Sequence, residues 1–226
     1  MKLVGRLRTW ARGHTRRRVY SPVGMAFHWG MAALVFFQLW WGWYVGRMPV
    51  GPEKLQGYQL HSQVGVLLLL LILLRGLWRL TVPGPVNDAD KPGWQSNSAH
   101  LTHYAFYAVL VLLPLSGWAM WSSVASEQPL SLAGVAPWPL LPLADLPQGQ
   151  RWAVLWASER IHFALIIVLL LMIPLHAGAA LKHHFVDRDD ALAGMTPFLR
   201  PLPPRLPEAT RRRRKAGRSR TPKAAG

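Results

Sequence analysis

The chain has 226 residues, of which 51% are hydrophobic and only 16% are charged, and its formal net charge is +16. So low a charged fraction argues against a soluble domain, in which about 25% is usual. The chain contains no cysteine, which excludes disulfides, cysteine-ligated iron–sulfur clusters and any cofactor attached through a CxxCH motif.

Four apolar stretches are each long enough to cross a hydrocarbon core of ~30 Å, which takes about 20 helical residues. They predict spans at Val23–Val45, Leu60–Leu80, Leu101–Ser122 and Glu159–Leu181. The predicted fold is an all-α integral membrane four-helix bundle. Its predicted parts are a basic arm over residues 1–22, a membrane domain over 23–185 and a basic, disordered tail over 186–226.

The first span begins after Ser21 and Pro22, a typical helix start, and ends in a cluster of aromatic residues that favours a membrane interface. The second span ends with Arg75 and Arg79, which share one helix face because they are four residues apart. The third span carries Pro114, which predicts a kink.

The loop between the third and fourth spans, residues 123–158, is the longest and is rich in Pro, Leu and Trp. A fully disordered loop would not be so apolar, so we expect it to lie along the membrane interface and cover a site there. The tail contains the run Arg211–Lys215, which we expect to be disordered and attracted to anionic lipid.

The positive charges predict the orientation of the spans. Seven Lys and Arg residues lie in residues 1–25, three in 75–99 and twelve in 177–226, whereas only Arg47, Lys54, Arg151 and Arg160 lie elsewhere. With four spans, the three basic regions share one side of the membrane, which the positive-inside rule makes cytoplasmic. Both termini are therefore predicted to be cytoplasmic, and topology explains the charge better than binding of nucleic acid.

Four histidines sort into two pairs by their depth in the predicted spans. His162 and His176 are 14 residues apart in the fourth span, which returns them to nearly one face about 21 Å apart along the axis. His28 in the first span matches the depth of His176, and His61 at the start of the second matches His162. We call His28 and His176 the inner pair, on the cytoplasmic side, and His61 and His162 the outer pair.

Histidine at membrane depth is costly without a partner and therefore indicates a functional site. Each pair draws on two helices and could hold one haem iron through two axial imidazoles. Such a centre has no open position for oxygen or substrate, so it is suited to passing electrons. Hydrogen bonding between helices is the plainer alternative. Zinc fits less well because its sites need three or four clustered ligands.

The remaining histidines compete with this assignment. His100 and His103 lie at the start of the third span, and His103 is the main competitor of His176 as the partner of His28. His100 and His103 could instead hydrogen-bond a propionate or a quinone headgroup. His183 and His184 suit the C-terminal end of a helix. His14 lies in the basic arm and is predicted to be an ordinary surface residue.

Haem propionates are anionic and need cationic partners near an interface. Arg75 and Arg79 could supply them at the inner edge, and Arg160 with Arg151 at the outer edge. The alternative for each arginine is that it extends to the lipid headgroups.

Five segments together resemble the bacterial cytochrome b561 family, which is related to the cytochrome b subunits of membrane-bound nickel–iron hydrogenases and formate dehydrogenases. They are FHW (27–29), LHSQVG (60–65), LLRGLWRL (73–80), AHLTHY (99–104) and IHFALIIVLLLMIPLHAGAALKHHFVDRDDALAGMTP (161–197). The last segment is similar to the final helix of the family and is the most specific. The resemblance covers roughly residues 20–200.

The resemblance implies two b-type haems, with His28, His61, His162 and His176 as axial ligands in agreement with the depth argument. It also implies coupling to quinone, and bacterial members of the family are associated with oxidising superoxide and reducing quinone. Whether this chain is a quinone-linked oxidoreductase of the superoxide oxidase type or only an electron carrier stays open at this stage.

We therefore predict a multi-pass protein of the bacterial inner membrane that carries electrons through two non-covalent haem b groups to or from the quinone pool. Its expected partners are membrane lipid, quinone and a redox partner protein. Two alternatives stay open. One is an anchor subunit that relays electrons for a hydrogenase- or formate-dehydrogenase-like complex, and the other is a haem-free membrane scaffold or transporter.

Overall fold

The computed structural model describes residues 5–7, 9–10, 13, 19–82, 93–124, 130–132, 135–143 and 145–199. Its main elements are four helices, α1 (Pro22–Gly46), α2 (Pro52–Thr81), α3 (Gly93–Ser123) and α4 (Gln148–Lys182). All four are long and apolar enough to cross a membrane. The predicted all-α membrane bundle is confirmed, whereas the predictions for His14 and for the run Arg211–Lys215 lie outside the described residues.

Three of the helices begin at least eight residues before the predicted spans. α2 begins at Pro52, α3 at Gly93 and α4 at Gln148, so part of the stretch before each of these predicted spans is helical. Hydropathy identifies only the part of a helix that is apolar enough for hydrocarbon, and these extra turns are more polar. Pro52 occupies the first turn of α2, where its missing N–H costs no helical hydrogen bond.

The helices pack in chain order, α1 against α2, α2 against α3 and α3 against α4. The buried core between them is small and apolar. Its members are Met31, Val35, Leu68, Leu69, Ile72, Val109 and Leu169. Many large apolar side chains face outward instead, among them Phe36 at 58% exposed and Leu171 at 62% exposed. Lipid chains are suitable neighbours for such a surface, as in other membrane bundles.

Two side chains of α1 fasten it to α2. Trp41 Nε1 donates to the carbonyl of Gly57 at 2.9 Å, and Gln38 Nε2 donates to the carbonyl of His61 at 2.7 Å. The helices also approach closely, because a Cβ added at Gly57 would lie 2.8 Å from a methyl carbon of the fully buried Val45. These contacts fix the position of His61 relative to α1.

Part of the long loop between α3 and α4 folds back onto the bundle. Strands β1 (Leu130–Leu132) and β2 (Ala136–Trp138) form an antiparallel hairpin, and β1 lies against α2. Beyond the hairpin, Trp118 Nε1 of α3 donates to the carbonyl of Pro139 at 2.8 Å, and the Leu141 amide donates to Ser122 Oγ at 3.0 Å. The described part of this loop therefore packs on the ends of α2 and α3.

The segment after α4 folds onto the start of α1. A π-helical turn (His183–Asp187) and a left-handed Arg188 (φ 56°) reverse the chain, and a short 3₁₀ helix (Ala193–Met195) follows. The Trp29 Nε1 donates to the carbonyl of Met195 at 2.8 Å. The described residues up to 199 therefore include two, Gly194 and Met195, that accept hydrogen bonds from residues 20 and 29.

Candidate functional site

The structure brings together the two histidines of the inner pair. The ring centroids of His28 on α1 and His176 on α4 lie 6.2 Å apart. Phe106 of α3 contacts the His176 ring edge-on at 5.1 Å. Arg75 of α2 approaches the same group, since its two terminal nitrogens lie 3.4 and 3.5 Å from His28 Nδ1.

The outer pair has the same separation. The ring centroids of His61 on α2 and His162 on α4 also lie 6.2 Å apart. The His61 ring fills the space that a side chain on Gly42 would need, because a Cβ added there would lie 2.8 Å from His61 Cε1. The His162 ring lies against Gly117 of α3, where an added Cβ would be 3.6 Å from Cε1. Glycine at position 42 therefore leaves room for the His61 ring, whereas a β-carbon at position 117 would only touch the His162 ring.

The hydrogen bonds of His162 define which of its ring nitrogens carries the proton. Its Nδ1 lies 3.1 Å from the carbonyl oxygen of Leu113 and 2.9 Å from Ser116 Oγ. A carbonyl oxygen can only accept, so Nδ1 must be the donor. The Ser116 hydroxyl itself donates to the same Leu113 carbonyl at 2.7 Å. In the neutral ring, Nε2 is then left with a free lone pair, as a metal ligand requires.

The separation of the rings in each pair fits two imidazoles on one metal ion. With metal–nitrogen bonds of ~2.0–2.1 Å and ring centres about 1.1 Å beyond each nitrogen, two opposed imidazoles have centroids roughly 6 Å apart. Each pair also joins α4 to a helix with which it shares no main packing interface, α1 in one case and α2 in the other. The helices are therefore joined at these points by side chains rather than by close backbone contact.

A metal site whose ligands all come from the protein fits the described residues less well than a haem site does. Within the part of the chain that the structure describes, no group of three or more His, Cys, Asp or Glu residues could hold one. A haem iron needs only two ligands from the protein because the macrocycle supplies the other four. The residues present thus fit haem and do not fit a structural zinc site.

The arginines predicted to serve propionates have varied surroundings. Arg75 faces His28, as described above, while the guanidinium of Arg79 lies 5.1 Å from the ring centroid of Tyr20. At the other end of the bundle, the guanidinium of Arg160 stacks on Trp156 at 3.8 Å. Stacking of this kind orders an arginine side chain near an interface without neutralising its charge.

The competing histidines fall into two groups. His103 of α3 lies beside the inner pair, with its ring centroid 6.0 Å from that of His176. His183 lies beyond α4, where Nδ1 is 3.0 Å from carboxylate oxygens of Asp187 and Asp189. His184 is buried and contacts Phe185 at 4.8 Å between ring centroids. His183 and His184 therefore belong to the turn that follows α4.

Sequence reasoning missed three residues that shape the outer pair, namely Gln38, Gly42 and Ser116. A polar amide in the middle of the first span was a usable signal for Gln38, because such groups are costly in hydrocarbon. Ser116 follows the predicted kink at Pro114, but nothing in the sequence indicates that its hydroxyl faces His162. Gly42 lies in an aromatic-rich stretch and carries no signal of its own.

Comparison with known proteins agrees with this architecture. The model of the prokaryotic cytochrome b561 family matches residues 19–198, a range that contains all four helices and both histidine pairs. The chain belongs to the prokaryotic cytochrome b561 family. This membership confirms the predicted family and makes the chain a b-type cytochrome of membrane electron transfer.

Individual members of the cytochrome b561 family are similar over most of the chain. Cytochrome b561 homolog 2 of Escherichia coli K12 is 31% identical over 183 residues, which is 78% of this chain and 90% of that protein. Cytochrome b561 homolog 1 of the same organism is 26% identical over 61% of this chain and 73% of its own. A protein of Yersinia pestis named probable superoxide oxidase CybB is 27% identical over 79% of this chain and 96% of its own.

The four apolar helices and these bacterial relatives support a cytochrome b561 of the bacterial inner membrane.

Proposed function

We propose that this cytochrome b561 carries electrons across the membrane through two bis-histidine haem b centres, one at the inner and one at the outer histidine pair. The two histidines of each pair would hold one haem, which would supply reversible one-electron chemistry there. The electrons then pass to or from a membrane quinone, a lipid-soluble carrier that can approach the bundle from the surrounding bilayer.

The observation that carries this proposal is the equal spacing of the two pairs. His28 and His176, like His61 and His162, have ring centroids 6.2 Å apart and come from different helices. Two unrelated hydrogen-bonding contacts between helices would have no reason to share the distance that suits two imidazoles on one iron. The single helix α4 supplies one ligand to each centre, which supports a relay of two haems along its axis.

The partner of His176 needs a further argument, because His103 lies as near to it as His28 does. His103 is on α3, which packs directly against α4. A macrocycle between these two residues would have to separate that interface. His28 is on α1, which does not share a main packing interface with α4. This difference favours His28 as the axial ligand.

Arg75 is the most direct candidate for a propionate partner at the inner haem. A histidine that binds iron through Nε2 carries its proton on Nδ1, so it cannot accept a hydrogen bond there. The guanidinium of Arg75, 3.4 Å from His28 Nδ1, would then need another acceptor. A propionate oxygen supplies one. Arg79 near the same edge and Arg160 near the outer edge are proposed for the same role.

The experiment that tests the proposal is the haem content per polypeptide of the detergent-purified protein, measured as the pyridine haemochrome. We expect two b haems per chain. One haem would make one of the pairs structural. No haem, in protein produced with ample haem, would contradict the electron-transfer proposal and favour a scaffold or transporter.

The ligand assignment is tested by single alanine variants. His28→Ala and His176→Ala should each remove the inner haem and leave the outer one, while His61→Ala and His162→Ala should do the reverse. His103→Ala is the matched control and should keep both haems. Loss of a haem in His103→Ala together with its retention in His28→Ala would contradict the pairing.

A more specific function, superoxide oxidation coupled to quinone reduction, is favoured by the similarity to the Yersinia pestis protein. Two superoxide anions would each give one electron, and the quinone would take both electrons with two protons to form quinol and leave two molecules of dioxygen. Arg151 and Arg160 could attract the anion to the outer side. Charge reversal at both should slow superoxide oxidation and weaken its salt dependence. An unchanged rate would contradict this role.

A further inference from the structure

We propose that the segment Leu113–Gly117 of α3 is a positioning site for the His162 imidazole, and that the Ser116 hydroxyl lowers the reduction potential of the outer haem through it. This inference rests on the proposed function, in which His162 is an axial ligand. Ser116 does not contact the iron in this scheme. It acts on the ligand.

The segment holds the ring through two acceptors at one nitrogen. The His162 Nδ1–H is shared between the Leu113 carbonyl at 3.1 Å and Ser116 Oγ at 2.9 Å. Ser116 is itself held in place, because its hydroxyl donates to the Leu113 carbonyl at 2.7 Å and the residue is only 9% exposed. The two acceptors fix the direction in which His162 Nδ1 points.

Pro114 lies beside this contact. A proline inside a helix lacks the N–H that would bond to the carbonyl four residues earlier, here that of Leu110, and it loosens the turn around it. The Leu113 carbonyl directly precedes this proline and receives two side-chain donors, Ser116 and His162. The acceptors of His162 Nδ1 thus lie directly beside the proline of α3.

The hydrogen bonds at Nδ1 affect the iron through the ring. Acceptors at this nitrogen draw the proton away from the ring and make Nε2 a stronger electron donor. A stronger donor favours the ferric form over the ferrous form, so it lowers the midpoint potential. The Arg75 guanidinium near His28 presents a positive charge at the inner pair instead. The two pairs therefore have contrasting electrostatic surroundings.

The test is a redox titration of the purified holoprotein carrying Ser116→Ala, with low-temperature electron paramagnetic resonance of both haems. We expect both haems to be retained and one midpoint potential to rise. A change of up to about tenfold in the ferric–ferrous equilibrium, equivalent to ~59 mV for one electron, is the size expected for one lost hydrogen bond. The haem that shifts should be the one that His162→Ala removes.

Two variants control this experiment. Ser116→Thr keeps a hydroxyl and should keep the native potential. Ser123→Ala removes an equally buried serine of α3 whose hydroxyl donates to the Ala119 carbonyl at 2.7 Å, and it should move neither potential. Ser116→Ala could lose the outer haem altogether. In that case, a Ser116→Thr protein that keeps this haem at the native potential still supports a role for the hydroxyl. Loss of the haem in both variants contradicts that role.

Unchanged potentials in a Ser116→Ala protein that holds both haems would overturn the inference, as would an equal shift in Ser123→Ala. Failure of the ligand assignment would look different, because His162→Ala would then retain both haems whatever the Ser116 variants do.

Discussion

At the scale of single residues, the site depends on small side chains as much as on the histidines. Gly42 is an example, because the His61 ring lies where a β-carbon would be, with a contact of 2.8 Å to Cε1. The sequence predicted the four histidines from their depth, but a glycine in a membrane helix has many ordinary explanations. Only the contact with His61 shows why glycine is needed at position 42.

We expect Gly42→Ala to displace the His61 ring and reduce the occupancy of the outer haem. The added methyl cannot fit without moving either the ring or α1, and glycine-to-alanine changes in a helix are otherwise favourable by about 0.5–1 kcal/mol. Haem content per polypeptide measures the effect. Gly30→Ala on the same helix is the matched control, since an added Cβ there meets no atom within 4 Å. Full haem content in Gly42→Ala would contradict this explanation.

At the scale of elements, the structure adds polar turns to three of the helices and a folded segment after the fourth. This segment is held to α1 by the hydrogen bond from Trp29 to the carbonyl of Met195 and by one from the Tyr20 amide to the carbonyl of Gly194. Both lie at the same end of α1 as His28. The sequence carries little signal for this segment, because its residues are mostly polar or small and show no helical or strand periodicity.

We expect Trp29→Phe to loosen residues 190–199 from α1. The variant keeps an aromatic ring but lacks the N–H donor, and one such hydrogen bond contributes about 1 kcal/mol. Amide hydrogen exchange in this segment should therefore become about fivefold faster. Trp40→Phe, at a similarly exposed tryptophan of α1, should leave the exchange unchanged. Exchange that is equal in the two variants would argue that the segment is held mainly by other contacts.

At the scale of the whole molecule, the small buried core and the outward-facing apolar side chains suit a bundle surrounded by lipid. The chain's orientation in that lipid is predicted from charge, with both termini in the cytoplasm. The turn after β1 and the segment after α4 would then be on opposite sides of the membrane. Both contain well-exposed positions, Val135 at 90% and Phe198 at 95% exposed.

The absence of cysteine makes this orientation directly testable. A membrane-impermeant maleimide applied to intact cells should label Val135→Cys, and it should label Phe198→Cys only after the membrane is broken. The chain without an introduced cysteine is the control in both experiments and should not be labelled. The opposite pattern would reverse the predicted topology and exchange the inner and outer pairs.

The sequence by itself determined the membrane-spanning helices and the depth of each histidine. In hydrocarbon the backbone must satisfy its own hydrogen bonds, so an apolar stretch of sufficient length forms a helix. Because the rise per residue of a helix is constant, the spacing of residues in the sequence gives their relative depth. The tertiary structure alone decided which groups surround each ring, including the Leu113 carbonyl and Ser116 at His162 and Arg75 at His28. In lipid every face of a helix can be apolar, so hydropathy does not fix the rotation of one helix against the next, and these contacts follow only from the packing of all four.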